Sequence, residues 1–236
     1  MDGEALTGPV VGGAAREPAG AVGFPWPPRP GESVLVAAFE TWRASVFRPA
    51  RFFAALPAGR GFGAALAYAL PVGTLGSGAA LFWNVVFALA GLPAPFLPEP
   101  TALDAAVGFL LTPAFLLLWI LLHGVATHAV LRLLGAGTAG LRATLQVLAY
   151  AAGPAVWAAV PVVGSLAAGV WSFVLTVVGL AAAHRTGRLR AAAALVLPPG
   201  LAAVLLVAAL LLLFLTALLP VPTGAPRPAA EAPSHP

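Results

Sequence analysis

Cysteine is absent from the 236-residue chain, and so is lysine. Without a thiol there is no disulfide, no thiolate nucleophile, no lipidated cysteine and no Cys-ligated metal. Charge of either sign is scarce: 8% of residues are charged, against about 25% in soluble domains. So little charge cannot coat a water-facing surface. With 60% hydrophobic residues and a mean hydropathy of +0.95, the composition is that of an integral membrane protein. A secretory leader is not expected either. Met1-Asp2-Gly3-Glu4 is acidic and the first long apolar run begins near Gly61, so the first crossing is expected to act as its own insertion signal.

What is present is arginine, in places that fix topology. Arg16, Arg29, Arg43, Arg48, Arg51 and Arg60 precede the first apolar run; Arg132 and Arg142 form a second group, and Arg185, Arg188 and Arg190 a third. Uncharged stretches at 61–98, 105–131, 143–184 and 191–226 separate them, and an odd number of crossings leaves only Arg227 on the far side. This is a positive-inside bias, with the N-terminus cytoplasmic and the C-terminus outside a cell (inner) membrane. The pI of about 11.0 does not argue for nucleic acid. The net charge is only +4, and the arginines sit at span edges instead of forming a basic stripe. Anionic lipid headgroups are the expected partners, at about 1 kcal/mol per juxtamembrane arginine.

Length and turn chemistry divide the chain further. Residues 1–31, ending in Pro25-Trp26-Pro27-Pro28-Arg29-Pro30, and residues 220–236 read as disordered Pro-rich tails. Between 32 and 60, Leu35, Ala38, Phe39, Trp42 and Val46 make one apolar helical stripe, Ser33 a helix start, and Pro49 the first residue of a second short helix. The stripe suits a helix lying in the headgroup region; packing on the bundle's own cytoplasmic end is the other reading. Residues 61–219 are expected as an all-α membrane domain of five crossings: about 62–92, 103–134, 143–161, 165–185 and 195–219. Thr101 and Asp104 form a capping box for the second. The 42 residues from 143 to 184 would make a straight helix of about 63 Å. They must fold back, at Pro161-Val162-Val163-Gly164-Ser165.

Groups able to do chemistry are few. His123 and His128, five apart, diverge by about 140° around one helix, so they do not share a face as metal ligands at i, i+4 do. His184 sits at another boundary. A neutral imidazole bonded to a backbone carbonyl or water is the expectation for each. A metal enzyme using His123 and His128 is the competing reading, because the three rings could converge. No catalytic, cofactor or metal site is expected, and the spans lack the buried charges of an ion-coupled carrier. A channel or carrier for a small neutral solute remains the alternative function. Small residues at Ala69-Gly73-Ser77 and Gly164-Ala168-Ser172-Thr176 allow close helix packing within the chain or in a homo-oligomer.

One resemblance runs through these positions. Trp42, then Arg48-Pro49-x-x-Phe52-Phe53-x-x-Leu56, then Tyr150-x-x-Gly153-Pro154, Pro161-x-x-Gly164, Trp171, Gly179 and His184 follow in order over about residues 36–219. The chain resembles the Yip membrane-domain family, the Ypt/Rab-interacting proteins, and in particular its bacterial relatives. That resemblance implies five transmembrane helices with a cytoplasmic N-terminus. The Asp-Leu-x-Gly-Pro element of eukaryotic members is not found here, so GTPase binding is not carried over. The expected function is a non-enzymatic scaffold or adaptor. Its face of Trp42, Arg43, Arg48, Arg51, Phe52 and Phe53 would meet anionic lipid or a protein partner.

Overall fold

The apolar runs fold as helices, and a computed structural model describes them over residues 24–57, 61–93 and 101–218. The elements are α1 (Val34–Phe47), α2 (Pro49–Ala54), α3 (Phe62–Leu89), α4 (Ala102–Leu133), α5 (Leu141–Tyr150), a 3-10 helix (Gly153–Ala159), α6 (Val163–His184) and α7 (Arg188–Leu218). Among the described residues there is no strand. Four helices, α3, α4, α6 and α7, are long and apolar enough to cross a membrane. Prolines inside them do not end them: α3 runs through Pro71, α4 through Pro113, and α7 through Pro198 and Pro199. Proline is tolerated in helices at membrane depth because packing and local adjustment re-satisfy the freed carbonyl. α7 begins at Arg188, about two turns before the expected start at 195. Thr101 caps α4 as expected, accepting from the Asp104 N–H at 3.2 Å while Asp104 accepts from the Thr101 N–H at 3.1 Å.

The segment 143–161 departs from its expected form. It is not one long helix but a ten-residue α5 followed by seven residues of 3-10 helix. Pro154 has no N–H to continue an α-helical ladder, and its ring disfavours α geometry at Gly153. α5 is enclosed: every side chain from Ala143 to Tyr150 is buried. The 3-10 helix lies between α3 and α6 and is tied to α3 by Trp83, whose Nε1 donates to the Ala159 carbonyl at 2.9 Å.

The fold-back occurs where the residues ask for it. Val162 has φ 64° and ψ −64°, and the Val163 N–H donates to the Pro161 carbonyl at 2.7 Å, which is a tight γ-turn. A β-branched residue is strained there. Gly164 follows because α6 starts directly against the 3-10 helix: a Cβ at this position would overlap the Trp157 carbonyl oxygen.

The expected tail does not cover its last residues. Residues 1–23, 58–60, 94–100 and 219–236 lie outside the described part, but Phe24-Pro25-Trp26 packs into the core as a strap. Trp26 is buried, donates from Nε1 to the Ala64 carbonyl at 2.7 Å and meets Tyr68 edge-on at 6.1 Å. Phe24 packs on Phe52 at 4.8 Å and on Tyr150 at 5.4 Å. Prolines exclude regular helix here, yet the two aromatic rings between them bury well without one. Trp26→Ala should cost about 3 kcal/mol. In detergent-solubilised protein, proteinase K should then cut within residues 24–31 at least tenfold faster, on the order of what that loss allows.

Candidate functional site

Helix α1 is turned the opposite way from a helix that buries its apolar stripe. The side packed on the bundle is small and partly polar: Ala37, Thr41 and Ser45 are 0% exposed. Their hydroxyls bond backwards along the helix, Thr41 to the Ala37 carbonyl at 2.7 Å and Ser45 to the Trp42 carbonyl at 3.1 Å, so polar groups can be buried without loss. Of the stripe, Leu35 (80%) and Phe39 (56%) are exposed, Ala38 and Trp42 half-buried and Val46 buried; Phe47, beside it, is 63% exposed. Burial of small residues lets α1 lie close to its neighbours while the large apolar groups stay available.

The six residues read from the sequence as one face divide into anchors and exposed cations. Phe52 and Phe53 are anchors, 4% and 2% exposed, and so do not stand on the outer face. Proline at the start of α2 sets the helix direction, and the first turn then drives both rings inward. Trp42 is half-buried, donating from Nε1 to the Gly153 carbonyl at 3.1 Å and stacking on Phe39 at 5.7 Å. Arg43, Arg48 and Arg51 are exposed. Arg43 is paired with Glu40 at 2.7 Å, whereas Arg48 and Arg51 have no carboxylate partner among the described residues.

The positions that carry the family resemblance turn out to build the seat of this N-terminal unit. Tyr150 is ringed by Phe24, Phe52 and Tyr68. Pro154 starts the 3-10 helix next to Gly153, the acceptor for Trp42. Trp171 donates from Nε1 to the Val46 carbonyl at 3.0 Å. Gly179 leaves room for Phe53 and Val147: a Cβ there would come within 2.9 Å of the Phe53 ring. Pro161 and Gly164 make the turn that holds the 3-10 helix beside α6.

His184 belongs to a second constellation, at the end of the bundle that carries Arg132, Arg142 and Arg185. The Ala139 N–H donates to His184 Nδ1 at 3.1 Å, which leaves the proton of a neutral ring on Nε2. Nε2–H then donates to the Thr144 hydroxyl at 2.9 Å, and that hydroxyl donates onward to His128 Nδ1 at 3.0 Å. Thr138 closes the set, donating to the His184 carbonyl at 2.8 Å. Two of the three histidines therefore converge, on a threonine hydroxyl instead of a carbonyl or water. His123 stays apart, stacked on Trp119 at 4.8 Å, and lines a mainly apolar cavity of about 580 Å³ with Ser77, Ser172 and Thr176. Among the described residues no group of three or more His, Cys, Asp or Glu could hold a metal.

The strap and the bonding of His184 were not found in the sequence. Partners 28 or more residues apart leave no local signal, but two aromatic rings amid prolines at 24–26 do mark the strap.

The outer face of the N-terminal unit is a trough of about 900 Å³ formed by α1, α2 and the strap. A smaller cleft of about 460 Å³ shares Phe47, Arg48 and Arg51 with it. An aromatic floor with cations at its rim can hold an anionic amphiphile or a protein segment of the same character.

Comparison with known proteins adds one match. A family model described as Yip1 domain covers residues 43–218, well over half of the chain. No curated protein matches the chain, and no solved structure does.

Proposed function

We propose, because this chain belongs to the Yip1 domain family, that this multi-pass membrane protein is a non-enzymatic scaffold or adaptor. The observation that carries the reading is the division of labour in the N-terminal unit. Phe52, Phe53, Trp42 and Trp26 lock it onto the bundle, and Arg43, paired with Glu40, and Arg48 and Arg51, unpaired among the described residues, stay exposed with Phe39 and Phe47. A face held this rigidly loses little conformational freedom when it binds, which suits recognition.

In this reading α5 with the 3-10 helix completes a fifth crossing. Together they rise about 29 Å, close to one hydrocarbon thickness. The arginine-bearing end of the bundle is then cytoplasmic and residues beyond 218 emerge outside, in a cell membrane. Tags at the two termini of intact cells should respond oppositely to an impermeant protease; a like response from both rejects this orientation.

The scaffold itself is tested by photo-crosslinking from position 47 in native membranes. Partner adducts should fall at least fivefold in Arg43→Glu/Arg48→Glu/Arg51→Glu, on the order of the loss expected when attraction becomes repulsion at a charged rim. Adducts unchanged by the triple substitution would remove the face from the function.

A further inference from the structure

The trough has two parts with different chemistry, and together they describe one ligand. Its floor is apolar and preorganised: Trp42 is pinned by Gly153, with Phe39 and Phe47 packed on either side at 5.7 and 5.5 Å, and Phe24 of the strap forms the far wall. Its mouth is cationic. Arg48 and Arg51 line both the trough and the adjoining cleft, and the one carboxylate in the trough, Glu40, is taken by Arg43.

We infer that this trough is a discrete site for one anionic glycerophospholipid, with the phosphate between Arg48 and Arg51 and an acyl chain over Phe39, Trp42 and Phe47. The inference rests on the reading above, which places α1 and α2 at the cytoplasmic leaflet, and it names the ligand of that face. Charge complementarity favours an anionic headgroup, because two guanidinium groups stand without a counter-ion among the described residues. The outward apolar stripe favours a lipid over a water-soluble ligand. Leu35, Phe39 and Phe47 need acyl chains beside them, and a chain with four membrane-length helices always has these. The volume, about 900 Å³, lies in the range of a site for a sizeable small molecule. Aromatic side chains beside arginines are also the residue types that settle at the lipid–water boundary. The site differs from diffuse surface attraction in being closed on one side by the strap, so it should hold a countable lipid.

The test uses the full chain, delipidated in detergent and reconstituted in phosphatidylcholine nanodiscs with or without phosphatidylglycerol. Native mass spectrometry should find one phosphatidylglycerol retained per chain and no retained phosphatidylcholine. Arg48→Gln/Arg51→Gln should lower that retention on the order of tenfold or more, since each juxtamembrane arginine contributes about a fivefold preference. Arg188→Gln/Arg190→Gln, also exposed but not lining the trough, should leave it unchanged. A photo-crosslinker at position 47 in the same nanodiscs should give a lipid adduct. The site is overturned by equal retention in wild type and Arg48→Gln/Arg51→Gln, by equal retention of the two lipids, or by an equal loss in Arg188→Gln/Arg190→Gln. An adduct at position 47 to a second copy of the chain, or to its own N-terminal residues, overturns it too. None of these results touches the scaffold reading, which depends on partner adducts in cells.

Discussion

Gly164→Ala lowers the thermal midpoint of the detergent-solubilised protein by roughly 10 °C, the scale of about 3 kcal/mol in a chain of this size. The cause is local. The added methyl has nowhere to go, because its neighbour is the Trp157 backbone carbonyl and not the movable tip of a side chain. Relief requires α6 to back away from the 3-10 helix, and that displaces the carbonyl of Gly153 on which Trp42 depends. The N-terminal unit should therefore loosen with the hairpin, which protease sensitivity at 24–31 would report. Gly169→Ala serves as the control, because a Cβ there meets nothing within 4 Å. Equal midpoints for the two variants would reject the close approach.

Thr144→Val lowers the midpoint by a similar amount, and Thr144→Ser restores most of it. Valine keeps the shape of threonine, so packing is unchanged and only the hydroxyl is lost. That hydroxyl is the one group able to accept from His184 and donate to His128 together, and all three residues are buried. Removing it leaves a donor and an acceptor unpaired at about 1–3 kcal/mol each. A drop in the serine variant as large as in the valine variant would show that packing, and not the bridge, is responsible. Because the bridge joins α4, α5 and α6, its loss should be felt most in the turn at 134–140, through Ala139 and Thr138.

The four long apolar helices, the Thr101–Asp104 box and the Pro161-to-Ser165 turn were legible because their signals are local and additive. Helix interruptions were less so. Proline does not interrupt α3, α4 or α7, whereas at Pro154, where a glycine precedes it and α3 and α6 close in, the α-helix expected over 143–161 gives way to 3-10 helix. The stripe on α1 shows a deeper difficulty. Periodicity reveals that Leu35, Phe39 and Trp42 share a side, but a soluble-protein habit would bury that side. Here the small side packs inward instead, which is what a helix beside a bilayer would do, where acyl chains accept large apolar groups as well as a core does. Phe52 and Phe53 mislead for the same reason: next to arginines they look peripheral, yet both are buried, Phe53 in the room left by Gly179 and Phe52 against Phe24 and Tyr150.

From Leu201 to Leu218, every side chain of α7 is exposed. No other described helix covers these eighteen positions, which hold Leu, Val, Ala and Phe with the single Thr216, so among the described residues oiliness and not shape is what constrains them. Random exchange among aliphatic residues in this half-helix should leave assembly intact, whereas the same freedom granted to the enclosed residues 143–150 should be ruinous. One chain thus contains a stretch that evolution can rewrite at will beside one that it can hardly edit.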